Sequence, residues 1–140
     1  MRALLDTSFF VATESGRPVG EMRRVTETEV SVVTLAELTV GVLMADDDDR
    51  PARVATLSAV ESTWDPLPID AEVARQFARI VAALRASGRR VPILDALVAA
   101  TAVVEQIPVV TRDGDTRSSS PPRGRPDLRI RCGARQQPSA

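Results

Sequence analysis

Apolar positions along the chain alternate between short continuous runs and runs at helical spacing. Ala3-Leu4-Leu5, entered from Arg2, ends abruptly in Asp6-Thr7-Ser8. An apolar run closed by a polar turn predicts a buried parallel strand. A short helix is expected at Phe9-Phe10-Val11-Ala12, a loop over 14–20, and a helix or turn over 21–28. Glu29-Val30-Ser31-Val32-Val33 is rich in β-branched residues and predicts a second strand. Thr34 then opens a helix to about Met44. Residues 51–63 predict another helix, with Val54, Leu57 and Val60 inward and Trp64 near its end. Leu67-Pro68-Ile69 predicts a short strand. Asp70 caps the longest expected helix, 71–87, whose apolar stripe is Val73, Phe77, Ile80, Val81 and Leu84. Gly88 ends it, as a glycine just past a helix does.

The most apolar helical stretch comes next. Pro92 suits a first helical position, where its missing N–H costs nothing. Ile93, Leu94, Leu97, Val98, Thr101 and Val104 recur at helical spacing, with small alanines between them. Such a helix is expected in the middle of a domain. Ile107-Pro108-Val109-Val110 predicts a further strand, followed by Thr111-Arg112-Asp113-Gly114-Asp115. Residues 116–126, rich in Ser, Pro, Arg and Gly, are expected to form a mobile loop, and 128–132 an edge strand. Strands alternating with helices predict an α/β sandwich around a mainly parallel sheet. With 140 residues, one domain is expected over 1–132, and 133–140 as a disordered end.

Composition narrows the chemistry. Aromatics make up 3% of the chain, so the core must be aliphatic. There is no histidine, which excludes His-based catalysis and His-ligated metals. The single Cys132 allows no intrachain disulfide and no cysteine zinc site. All 18 basic residues are arginine; without lysine, P-loop and Schiff-base chemistry are excluded. What remains is carboxylates, hydroxyls, arginine and a bound ion. Oxygen-only sites suit hard cations such as Mg²⁺ and Mn²⁺. No apolar run reaches membrane-spanning length and the first residues lack signal-peptide architecture, so a cytoplasmic protein is expected. Residues 1–111 carry 11 Arg against 16 acids, and residues 112–140 carry 7 Arg against 3. The basic end could meet phosphate, although a solvated tail accounts for it as well.

Each conspicuous acid has a structural explanation of its own. Asp6 suits a helix N-cap. Thr34 and Glu37 match a capping box. Asp95 would sit favourably at a helix N-terminus, and Asp113 and Asp115 flank an Asp-Gly turn. The run Asp46 to Asp49 reads as a solvated loop between helices. Taken together, however, Asp6 and Asp113 end strands while Glu37 and Asp95 begin helices. In a parallel α/β fold these positions share one edge of the sheet. Acids brought together repel unless a cation neutralises them, so a divalent-metal site is expected there.

The ordered set Leu4-Leu5-Asp6-Thr7-Ser8, Ser31-Val32-Val33-Thr34-Leu35-Ala36-Glu37-Leu38, the stretch from Pro92 to Ala102, and Val110-Thr111-Arg112-Asp113 resembles the PIN-domain ribonucleases. Within them it is similar to the VapC toxins of bacterial toxin–antitoxin pairs. The resemblance covers about residues 1–115 and implies a PIN-like α/β/α sandwich and a metal-dependent endoribonuclease. It implies that Asp6, Asp95 and Asp113 hold Mg²⁺ or Mn²⁺, with Glu37 acting through water and Asp115 as the substitute for Asp113. Thr111 or Ser8 would support them. It also implies an RNA substrate, a cognate antitoxin and a homodimer; the lack of a spanning apolar run leaves no membrane partner expected. Arg112 and Arg117, with Arg123 and Arg125 beyond them, are candidate phosphate contacts. Thr116 stands where the family usually has an aromatic residue. The alternative is a catalytically silent PIN-like module that binds RNA or a partner. A phosphoacceptor receiver domain would need a lysine that this chain lacks, and a DNA nuclease or phosphatase would share the acid-only chemistry.

Overall fold

The computed structural model describes residues 1–17, 22, 24–111 and 116–117. The elements run β1 (Arg2–Leu5), α1 (Thr7–Glu14), β2 (Glu27–Val30), α2 (Val32–Met44), α3 (Arg50–Thr63), α4 (Ala71–Ala86), α5 (Ile93–Glu105), β3 (Val109–Val110) and β4 (Thr116–Arg117). The sheet order is β2-β1-β3-β4. β1 pairs in parallel with β2, Leu5 opposite Val30, and with β3, Leu5 opposite Val110. β4 is antiparallel to β3. Residues 116 and 117, expected in a loop, thus extend the sheet. The expected edge strand at 128–132, the boundary at 132 and the end at 133–140 lie outside the described residues.

Side chains alternate across a strand, and here the two sides of β1 serve two cores. Ala3 and Leu5 join Phe10, Val30, Leu38, Val60 and Val110, with Phe9, Leu57 and Trp64 packed against them. Leu4 joins Val33, Val98, Ala102, Ile107 and Val109 on the other face. Helices α1, α2 and α3 supply the first layer and α5 the second, with α4 packed on α5. This is the expected α/β/α sandwich. The aliphatic core has one aromatic corner, where Phe10 meets both Phe9 and Trp64 edge to face.

Several boundaries differ from the sequence reading, each for a local reason. β2 starts two residues and ends three residues earlier than expected, because Ser31 caps α2 and draws Val32 and Val33 into the helix. The Leu67 segment makes only a single parallel bridge, to Ser31. Pro66 and Pro68 on either side of Leu67 have no N–H to extend it. On α3, Val54 is 43% exposed. Arg53 takes the inward position instead, with Nη1 3.3 Å from where a Cβ on Gly41 would stand. Pro92 is the N-cap of α5 rather than its first helical residue. The first turn of α5 stands clear of the packed layers, with Ile93 66% exposed. From Ala96 onward the helix is buried or half-buried, as expected of a central helix. Gly88, at φ +72°, and Asp70, whose Oδ1 accepts from the Val73 N–H at 2.9 Å, bound α4 as predicted. Among the described residues no helix is long and apolar enough to cross a membrane.

Candidate active site

Asp6 follows β1 directly, and its N–H donates to the Val110 carbonyl at 3.0 Å. The chain leaves β1 for β2 on one side and later returns to β3 on the other. The carboxyl end of β1 is therefore the point where the strand order reverses, the usual place for a ligand crevice in such sheets. Asp6 has the extended backbone of an N-cap, but its side chain makes no capping bond. Its Oδ2 instead accepts from the Ser8 hydroxyl at 3.0 Å. The position is that of a cap, and the carboxylate is not used as one.

Glu37 is released from capping in a different way. The N-cap of α2 is Ser31, whose Oγ accepts from the Thr34 N–H at 3.3 Å. Thr34 lies inside the helix, so the capping box with Glu37 does not form. The buried Thr34 hydroxyl turns to the sheet and donates to the Leu5 carbonyl at 3.4 Å, one residue before Asp6. One turn further along α2, Glu37 accepts from the Thr7 hydroxyl at 2.9 Å. Helix α2 is thus tied to the end of β1 and the start of α1 by two hydroxyls. Sequence alone does not mark Thr7 as a site residue. Its only signal there was its place beside Asp6, in a triplet that also reads as a helix start.

Asp95 lies in the first turn of α5 and is exposed. Its charge reaches Glu37. Partial burial strips Glu37 of water and pushes its pKa above the usual carboxylate value. The Thr7 hydrogen bond pulls it back, and repulsion from Asp6 and then Asp95 pushes it up further. The three acids, from three separate elements, therefore share one electrostatic neighbourhood. At the start of β1, the far end of that strand, two acids meet an arginine. There Arg2 meets Glu29 at 2.9 Å and Glu105 at 3.3 Å.

Among the described residues no three acids are gathered tightly enough to enclose a metal ion directly. Mg²⁺ usually keeps several waters and takes only one or two carboxylates from the protein. An open, all-oxygen set of this kind fits a hydrated hard cation. Asp113, Asp115 and Arg112 lie outside the described residues. Arg117 is placed only by its backbone, opposite Val109 in β4. Thr111 is buried directly after β3.

The family model for the PIN domain matches residues 3–118. Ribonuclease VapC5 of Mycobacterium tuberculosis is 48% identical over 113 residues, 80% of this chain and 83% of the relative. Ribonuclease VapC4 of the same organism is 42% identical over 114 residues, covering 81% of this chain and 88% of the relative. Among solved structures, the M. tuberculosis toxin–antitoxin complex VapBC-5 contains a chain that superposes with a TM-score of 0.71 at 42% identity. That match covers 80% of this chain and 85% of the other.

Proposed function

This chain belongs to the PIN-domain family, and from that membership we propose that it is a VapC-type endoribonuclease toxin, restrained by a cognate antitoxin. Similarity to curated ribonucleases supports the reaction class, and similarity to a toxin–antitoxin complex supports the partner. The single observation that carries the site is the convergence of Asp6, Glu37 and Asp95 on the carboxyl edge of the parallel strands, where the first two acids make no helix cap.

Asp6 and Asp95 would hold Mg²⁺ or Mn²⁺ directly, and Glu37 through water. Asp113 would be the fourth acid, or Asp115 in its place. Such an ion supplies a water of lowered pKa and offsets charge on the phosphate oxygens. The chain's own contribution is placement. Ser8 holds one oxygen of Asp6, and the edge of the sheet fixes the directions from which the acids approach. With no histidine in the sequence, a carboxylate must carry any proton taken up by a side-chain base. Arg112 and Arg117 would meet the RNA backbone, which positions the substrate without reading its sequence. A homodimer acting in the cytoplasm completes this reading.

The test is cleavage of structured cellular RNA by the antitoxin-free protein with Mg²⁺, Mn²⁺ or EDTA, beside Asp95→Asn. Discrete cuts that require metal and disappear in the variant are expected. The openness of the acid set favours a second reading, a PIN-like module that binds RNA without cutting it. A folded protein that retains RNA but cuts none under either metal would establish that reading.

A further inference from the structure

We infer that Thr7 is a positioning residue for the proposed metal site, holding the Glu37 carboxylate in one orientation before any ion arrives. The inference rests on the metal-dependent reading above and assigns a role to a residue outside the acid set. Glu37 is a long side chain pushed by two like charges, Asp6 and Asp95. Left alone, it would relieve that repulsion by rotating towards solvent. The Thr7 hydroxyl donates to Oε1 at 2.9 Å and opposes that rotation. Among the described residues it is the only hydrogen-bond donor to Glu37, and it engages a single oxygen, Oε1. Thr7 is the first residue of α1, directly after Asp6. One backbone step therefore couples the position of Asp6 to that of the Glu37 carboxylate.

The contact is separable from the fold. The Thr34 hydroxyl independently ties α2 to the Leu5 carbonyl, and the Ser31 cap starts the helix without Thr7. Thr7→Val keeps the shape of the side chain and removes the donor, while Thr7→Ser keeps the donor. The experiment is titration of the metal-free protein with MnCl2 by calorimetry, for wild type, Thr7→Val, Thr7→Ser and Glu37→Gln. Thermal melting of each variant confirms that it is folded. Partners that orient direct metal ligands typically contribute 10–100-fold in affinity; Glu37 would act through a water, one step further out, so Thr7→Val should bind Mn²⁺ about threefold more weakly with its melting profile retained. Thr7→Ser should bind close to wild type. Equal binding by wild type and Thr7→Val would overturn the positioning role and leave the metal site standing. A Thr7→Ser protein as weak as Thr7→Val would also overturn it, because the hydroxyl would then not be the cause. Absence of Mn²⁺ binding by the wild type would overturn the metal-dependent reading itself, and this inference with it.

Discussion

The Ser31 hydroxyl accepts from the Thr34 N–H at 3.3 Å, and that bond sets where α2 begins. It moves the helix start three residues ahead of the Thr34–Glu37 pair and leaves Glu37 without a capping duty. Ser31→Ala should therefore cost roughly 1 kcal/mol, as loss of an N-cap usually does, while Glu37→Gln should leave the helix start intact. Chemical denaturation of the two variants checks this, and the proposed site adds that Glu37→Gln loses RNA cleavage. A Glu37→Gln protein destabilised as much as Ser31→Ala would restore the capping role.

That pair also shows how far the fold was legible in the sequence. The strand at Arg2–Leu5, the end of α2 at Met44 and both boundaries of α4 follow from patterns that act within a few residues. Asp70 and Gly88 bound α4 through local backbone chemistry and need no distant partner. Ser31 and Thr34 were harder, because either can cap and the choice depends on the sheet. Thr34 is pulled inward by the Leu5 carbonyl, 29 positions away in the chain. The inward place of Arg53 lies beside Gly41 in the neighbouring helix, which no helical period reports. The convergence of the acids was readable for the opposite reason, since strand ends and helix starts share an edge in any parallel α/β fold. Thr7 was not readable, because its partner lies on another element and its own position also suits a helix start.

Stability without metal should depend on pH through Glu37. Its folded-state pKa lies above the ordinary value near 4.5. The folded protein therefore binds this proton more tightly than the unfolded chain, and stability falls as pH rises from the unfolded value through the folded one. Solvent screening of this half-buried group keeps the effect small. Melting in EDTA should show the decline for wild type and a flatter profile for Glu37→Gln through the same window. A wild type that gains stability on rising through that window, relative to the variant, would reverse the sign.

Asp70 provides a control acid away from the proposed site. Its Oδ1 accepts from the Val73 N–H at 2.9 Å and its work is local. Asp70→Asn should be nearly silent because asparagine caps equally well, whereas Asp70→Ala should cost about 1 kcal/mol. Neither should alter RNA cleavage at a temperature where both are folded. Loss of cleavage by folded Asp70→Asn would show that acids matter through overall charge rather than through a defined site.

Replacing Asp95 tests the proposed site directly. It is exposed in the first turn of α5, so its replacement opens no cavity. A carboxylate near a helix N-terminus contributes about 0.3–1 kcal/mol. Asp95→Asn gives up that term and, in exchange, relieves the repulsion felt by Glu37. The two effects oppose each other in the metal-free protein. Activity has no such compensation. Loss of an outer partner alone lowers metal affinity 10–100-fold, so loss of a direct ligand should reduce cleavage by at least about 100-fold. Parallel measurements of melting in EDTA and RNA cleavage in Mg²⁺ and Mn²⁺ read both terms. Unchanged cleavage by a folded Asp95→Asn would remove Asp95 from the site, whereas a large loss of stability would return it to a structural role at the start of α5.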